Sequence, residues 1–157
     1  MNGRMYVATF EAVAVTATQD FFCIEPADDK LVIVHRLLLA QHTDVKDAEE
    51  EILRYQVLRG NTTTGSGGTT PTARPLNPSD TAFGGVVEAN NTTAASAGTA
   101  VALHTGYFNI RIGEDMVWTP ETRPITTQAI GFMAVRLLAA PADSITMAGT
   151  IYFEELG

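Results

Sequence analysis

The feature that most constrains the fold is the apolar run at residues 31–41, LVIVHRLLLAQ. β-Branched residues dominate its start, and apolar side chains occupy both sets of alternating positions, which is typical of a strand buried on both faces. We therefore expect a long central strand. Strict alternation would place two sets of residues on opposite faces: Leu31, Ile33, His35, Leu37 and Leu39 on one, and Val32, Val34, Arg36 and Leu38 on the other.

Patterns of period two predict further strands. In residues 51–59, EILRYQVLR, the side chains of Leu53, Tyr55 and Val57 share one face, which indicates a half-buried strand. With about eight strands and no clear helical periodicity, the sequence predicts an all-β, antiparallel, jelly-roll-like β-sandwich. The other predicted strands are 5–15 (bent near Glu11), 21–24, a short one around Val86 and Val87, 101–104, 107–112, 131–138 and 145–155.

Residues 60–80, GNTTTGSGGTTPTARPLNPSD, are predicted to form one long loop rich in Thr, Gly and Pro. Loops longer than about 12–15 residues are usually functional or disordered. Prolines stiffen the second half, so we expect an extended arm that lies along a surface. Arg74 and Leu76 are its only large side chains and are therefore predicted contact residues. A phosphate-binding loop is excluded, because neither a GK[ST] ending nor a helix pattern follows TGSGG.

Size and charge limit the classes of function. The 157 residues fit a single domain spanning 1–157, and the lone cysteine, Cys23, excludes an intrachain disulfide. The net charge of −8 argues against binding a nucleic-acid backbone, which requires a basic surface. No run reaches the ~18 apolar residues of a membrane helix, and the N-terminal residues lack the apolar region of a secretory signal. We expect no nucleic-acid or membrane partner, and synthesis in the cytoplasm.

The sequence contains no pattern typical of a catalytic or cofactor site. The histidines His35, His42 and His104 form no His-x-His pair, and the G-x-S-x-G nucleophile elbow is absent. The acidic run at 44–51 lacks the spacing of a calcium loop, so it is expected to form a solvated edge, with a calcium site as the alternative. We predict that the chain is not an enzyme and that it binds no cofactor and no metal.

Two kinds of side chain are further candidates for contacts between subunits. Trp118, the only tryptophan, is expected in the core, with an interface or a ligand platform as the alternative. Strand arginines such as Arg36 and Arg136 could pair with carboxylates across a subunit interface of this acidic chain. The predicted interface residues are Arg74, Leu76 and Trp118.

Five segments carry a resemblance to a known group of proteins. In chain order they are MYVATFEAVAVTATQDFFCIEPADDK, HRLLLAQHTD, EEEILRYQVLRGNTTTGSGGTTPTARPLNPSD, EANNTTAASAGTAVALHTGYFNIRIG and APADSITMAGTIYFEE, which together span nearly the whole chain. Their style and order are similar to small virion proteins of tailed bacteriophages and resemble head decoration (cement) proteins. The resemblance implies a β-sandwich that assembles as a homotrimer on the capsid exterior, contacts the major capsid protein, and has neither cofactor nor catalytic residues.

Two other functions fit the same residues. One is a different virion component, associated with the tail, neck or fibre. The other is a carbohydrate- or receptor-binding β-sandwich module, which needs exposed aromatic rings; Trp118, Tyr107 and Tyr152 are the candidates. A buried Trp118 would weaken this second alternative, whereas an exposed Trp118 beside another ring would strengthen it.

Overall fold

All regular structure in the chain is β-structure. The computed structural model describes residues 3–42 and 50–157, and these residues form eleven strands and no helix, so none of them forms a helix that could span a membrane. The predicted all-β class is confirmed. The strands are β1 (Arg4–Val15), β2 (Asp20–Glu25), β3 (Leu31–Gln41), β4 (Ile52–Asn61), β5 (Arg74–Pro75), β6 (Val86–Asn91), β7 (Val101–Asn109), β8 (Glu114–Val117), β9 (Ile125–Thr127), β10 (Phe132–Leu137) and β11 (Ile145–Leu156).

The strand pattern differs from the prediction in two respects. The segments 101–104 and 107–112 largely form one strand, β7, and the short strands β5, β8 and β9 were not predicted. The predicted bend in β1 is present, because its register with β11 shifts between Phe10 and Val13. Most of the acidic run at 44–51 falls in residues 43–49, which lie outside the described residues. The two interpretations of this run, a solvated edge and a calcium site, therefore stay predictions.

Two antiparallel sheets pack as a β-sandwich. Sheet A has the order β5-β1-β11-β3-β8, with β9 also pairing with β3, and sheet B has the order β6-β2-β10-β4-β7. Strands that are neighbours in a sheet are mostly distant in the chain. The first and last strands, for example, pair from Arg4↔Glu155 to Val15↔Ile145.

The inner faces of the two sheets form the main hydrophobic core. Along β11, buried and partly exposed positions alternate over the whole strand. The predicted inward face of β4 is confirmed, since Leu53, Tyr55 and Val57 are all buried. Burying one large apolar side chain contributes roughly 1.5–3 kcal/mol, so this shared core dominates the stability of the sandwich. The largest fully buried side chains come from both sheets: Tyr6, Tyr55, Phe21, Phe22 and Phe153.

A β-bulge in β3 breaks the predicted alternation. Arg36 pairs with Tyr152 of β11, but the next pair is Val34 with Phe153, so His35 is an extra residue in β3. The bulge moves the inward-facing set by one position, and the two predicted faces are therefore wrong. The opposite face of β3 is mostly half-buried within this chain. The buried residues are Val32, Val34, Leu37 and Leu39.

The arm, defined as residues 62–76, lies against strands of the same chain. Its first half pairs with residues 89–96, and its second half contains β5, which pairs with β1. The close approach requires glycine at position 65, where a Cβ would lie 1.9 Å from the carbonyl oxygen of Thr93. The arm therefore covers part of the outer edges of β6 and β1. The bridges in its first half are Thr63↔Ser96, Ser66↔Thr93 and Thr69↔Ala89.

Candidate functional site

The opposite side of the sandwich, where sheet A ends at β8 and sheet B ends at β7, carries exposed apolar side chains. Four residues there, on β4, β7, β8 and the turn between β7 and β8, are 61% to 84% exposed. They are the most exposed large apolar side chains among the described residues, and such exposure marks candidate contact surfaces. We call this side of the sandwich the open side and define it by Ile52 and Tyr107 of sheet B, Val117 of sheet A, and Ile112 in the turn that connects the two sheets.

A polar cluster lies beneath the open side and links the two sheets. The hydroxyl of Tyr55 on β4 donates a hydrogen bond to Glu114 Oε2 on β8 at 3.0 Å. His104 Nε2 on β7 lies 3.3 Å from the same hydroxyl oxygen. Because the tyrosine proton is directed to Glu114, the His104 Nε2–H is the donor to the tyrosine oxygen. The cluster therefore fastens the last strand of sheet A to two strands of sheet B.

Aromatic packing encloses this cluster. Trp118 comes directly after β8 in the chain. Its ring makes an edge contact with the His104 ring, and the two ring centroids are 5.3 Å apart. Gly106 is required opposite Tyr55, because a Cβ there would lie 2.4 Å from the tyrosine ring. Trp118 is only 5% exposed, which confirms the predicted core position and leaves little of its ring available for a contact. The aromatic carbohydrate site is weakened accordingly.

The pKa shifts of Tyr55 and His104 favour the uncharged forms of these two side chains. Burial, followed by the nearby Glu114 carboxylate, raises the pKa of Tyr55 well above its ordinary value of 10.0. Burial lowers the pKa of His104 from 6.5, and Glu114 opposes that shift. Near neutral pH, Tyr55 is therefore a hydrogen-bond donor and His104 is a neutral imidazole. A tyrosine that holds its proton in this way serves to join strands and is poorly suited to act as a base.

Polar side-chain contacts on the outer face of sheet A join residues that are remote in sequence. His35 Nε2 lies 2.9 Å from Glu154 Oε2, and both side chains are partly buried. Arg36 donates two hydrogen bonds to the carboxylate of Asp115, at 2.8 and 2.7 Å. Both Arg36 and Asp115 are well exposed, so this second pair contributes little to stability.

A buried ion pair anchors the segment after β6. Asp20 is fully buried and accepts hydrogen bonds from Arg136 Nε at 2.7 Å and from the Ala95 amide at 2.7 Å. Arg136 Nη2 in turn donates to the Ala95 carbonyl at 2.9 Å. The pair thus clamps the backbone at Ala95 from both sides. Arg36 and Arg136 both have carboxylate partners in their own chain.

The structure separates most of the side chains that the sequence singled out. Arg74 and Leu76 are exposed on the arm, where Arg74 pairs with β1 through its backbone, and they remain predicted contact residues. Tyr107 on sheet B and Tyr152 on sheet A are on different sheets. Within residues 3–42 and 50–157, no group of three His, Cys, Asp or Glu side chains is placed to hold a metal ion. Burial raises the pKa of the Cys23 thiol to about 12, so it remains protonated.

Comparison with known proteins adds no relative. No protein-family model, no curated protein and no solved structure matches the chain. The open side, the cluster beneath it and the arm therefore have to be interpreted from their own geometry.

Proposed function

We propose that the chain is a structural virion protein that decorates the outer surface of a phage capsid as a homotrimer and stabilises it by bridging subunits of the major capsid protein. The observation that carries the proposal is the open side, where Ile52, Tyr107, Ile112 and Val117 are largely exposed. Burial of such residues against another protein is favourable by roughly 25 cal/mol per Å² of apolar surface. Exposed apolar side chains are expected where a protein that assembles on a particle contacts its partners.

The strand order supports the proposal by analogy. When the short or added strands are set aside, sheet A has the order β1-β11-β3-β8 and sheet B has the order β2-β10-β4-β7. We infer a jelly roll from this order, because two Greek keys produce two such four-stranded sheets. Jelly rolls occur in viral capsid proteins, and also in lectins and cupins, so the analogy supports a virion role without specifying it.

The two sides of the sandwich suggest a division of contacts. We propose that copies of the chain meet through the open side, while Arg74 and Leu76 on the arm contact the capsid protein. The arm is suited to such a contact because its backbone is already paired to β6 and β1, so little conformational entropy is lost when it binds.

The number of copies in purified virions tests the proposal. Quantitative mass spectrometry would compare this chain with the major capsid protein in the same sample. We expect near parity, as for a protein that covers the whole shell. A few copies per particle would overturn the decoration role and favour the tail, neck or fibre alternative, and absence from virions would exclude a virion role.

A further inference from the structure

A surface cavity of about 200 Å³ lies between β1, β6 and the arm. This volume is below the roughly 300–1,000 Å³ of pockets for drug-sized ligands, but it exceeds the space of several water molecules. None of its lining residues carries a charge. The cavity is therefore suited to a small neutral molecule. Its lining residues are Val13, Ala14, Gln19, Gly67, Gly68, Thr69, Asn90 and Thr92.

Two buried amides contribute to the cavity wall. Gln19 and Asn90 are only 3% and 5% exposed, and Gln19 Nε2 donates to Asn90 Oδ1 at 2.8 Å. This bond orients the Asn90 amide. Its nitrogen, Nδ2, is buried and has no hydrogen-bond partner among the described residues. An unsatisfied buried donor costs about 1–3 kcal/mol. Because Nδ2 has almost no accessible surface, a ligand oxygen would accept from it, and remove that penalty, only with a small shift of the cavity wall.

The same wall contains several unusual backbone conformations. Ala12, at the bulge of β1 beside the cavity, has φ +54, Asn90 has φ +58, and Gly67 has φ +89. Glycine and asparagine tolerate this left-handed region well, but for alanine it costs roughly 1–2 kcal/mol. β-Bulges and positive φ values at non-glycine residues cluster at functional sites. The coincidence of a bulge, a left-handed asparagine and an unsatisfied amide indicates a shaped binding site.

We propose that this cavity binds an uncharged, hydroxyl-rich ligand of the size of one sugar ring. Amides and threonine hydroxyls both donate and accept hydrogen bonds, as sugar hydroxyls do, and Val13 and Ala14 offer an apolar surface to the C–H groups of a ring. Asn90 Nδ2 donates to a ligand hydroxyl oxygen. The site is independent of the proposed capsid contacts and uses none of Trp118, Tyr107 and Tyr152.

Nuclear magnetic resonance titration of the full chain tests the site. The probes are the methyl glycosides of glucose, galactose, mannose and N-acetylglucosamine, each added to ¹⁵N-labelled protein. We expect at least one probe to cause saturable shifts of the amide signals of Gly67, Gly68 and Thr69, with a dissociation constant in the millimolar range. No saturable shift with any probe, or shifts confined to another surface, would overturn the proposal.

Two variants and a control define the contacts. Asn90→Asp keeps the oxygen that accepts from Gln19 but removes the free donor, and we expect roughly 2- to 10-fold weaker binding. Ala14→Trp fills the cavity from an exposed position and should abolish binding even if the first variant folds poorly. Ala142→Trp, in an exposed turn outside the cavity, should bind like the unmodified chain. Undiminished binding by Ala14→Trp would also overturn the proposal.

Discussion

Two aspartates of this chain each hold an arginine through two hydrogen bonds, one in the interior and one at the surface. The side chain of Asp20 is 0% exposed, whereas that of Asp115 is 53% exposed. We predict that Asp20→Ala lowers the free energy of unfolding by about 3–5 kcal/mol, because it leaves the mostly buried guanidinium of Arg136 without its carboxylate and the Ala95 amide without its acceptor. Chemical denaturation of the two proteins measures this difference.

Asp115→Ala is the matched control for that experiment. It removes the same kind of bidentate pair, with Arg36, from a solvated position. Screening by water makes the expected loss far smaller. Equal losses for the two alanine variants would show that burial does not set the contribution of these pairs.

The hydroxyl of Tyr55 has a measurable part in joining the sheets. Tyr55→Phe keeps the buried ring but removes the donor to Glu114, and we predict a loss of about 1–3 kcal/mol in the free energy of unfolding. Tyr107→Phe removes a hydroxyl from an exposed ring and serves as the control, with no expected change. Thermal or urea unfolding of both variants tests the prediction, and a loss confined to Tyr107→Phe would contradict it.

His104 makes stability depend on pH. Burial lowers its folded-state pKa below the ordinary value of 6.5, so just below that pH the unfolded chain binds more protons than the folded chain. The free energy of unfolding should therefore be greatest above about pH 6.5 and decrease as the pH falls towards the folded-state pKa. We predict a smaller decrease in His104→Gln than in the unmodified chain, measured by urea unfolding at a series of pH values.

The control for this pH dependence is His42→Gln. His42 is exposed just after the end of β3, and the hydrogen bonds of the cluster are formed by Tyr55, His104 and Glu114. This variant measures how much a histidine replacement outside the cluster changes the profile. An unchanged pH profile in His104→Gln would contradict the assignment.

Among the elements, the arm depends on glycine where it approaches another backbone. A Cβ on Gly65 would lie 1.9 Å from the Thr93 carbonyl oxygen, so Gly65→Ala must move the arm away from its partner segment. We predict faster hydrogen exchange of the Ser66 and Thr93 amides, which bond to each other's carbonyl groups at 3.0 Å. Ser66→Ala, at an exposed side chain, is the control and should preserve slow exchange. Unchanged protection in Gly65→Ala would contradict this account.

Sequence patterns predicted the strands well but not what lies between them. Period two identified β4 and β11, because large apolar residues recur at alternate positions along most of each strand. The bulge at His35 was not predicted. Because residues 31–41 are apolar at both sets of alternating positions, the sequence does not show where the inward-facing set changes. The arm was predicted as a loop because its pairing uses backbone groups, which any sequence carries.

The polar contacts of the candidate sites could not be predicted from the sequence, because their partners are far apart in the chain. Arg136 and Asp20 are 116 residues apart in the chain, and Tyr55 and Glu114 are 59 apart. Which carboxylate meets which partner depends on strand order, and strand order is set by the whole fold. The unsatisfied donor of Asn90 likewise becomes visible only once its surroundings are known.

For the whole molecule, the proposal that copies meet through the open side predicts the oligomeric state in solution. We predict that the unmodified chain forms trimers in solution and that Tyr107→Asp or Val117→Asp shifts it towards monomers, because a charge on this surface would have to be desolvated in the contact. Sedimentation equilibrium measures the mass. Val86→Asp, at an exposed position on β6, is the control and should still form trimers. A monomeric unmodified chain would contradict the prediction.

The position of β11 between β1 and β3 has a consequence for biosynthesis. A ribosome that adds about 5–20 residues per second takes on the order of ten seconds to pass from the end of β1 to the start of β11. During that interval β1 and β3 have no strand between them, and their apolar faces are exposed on the nascent chain. Factors that shield these strands at the ribosome should therefore increase the yield of folded protein.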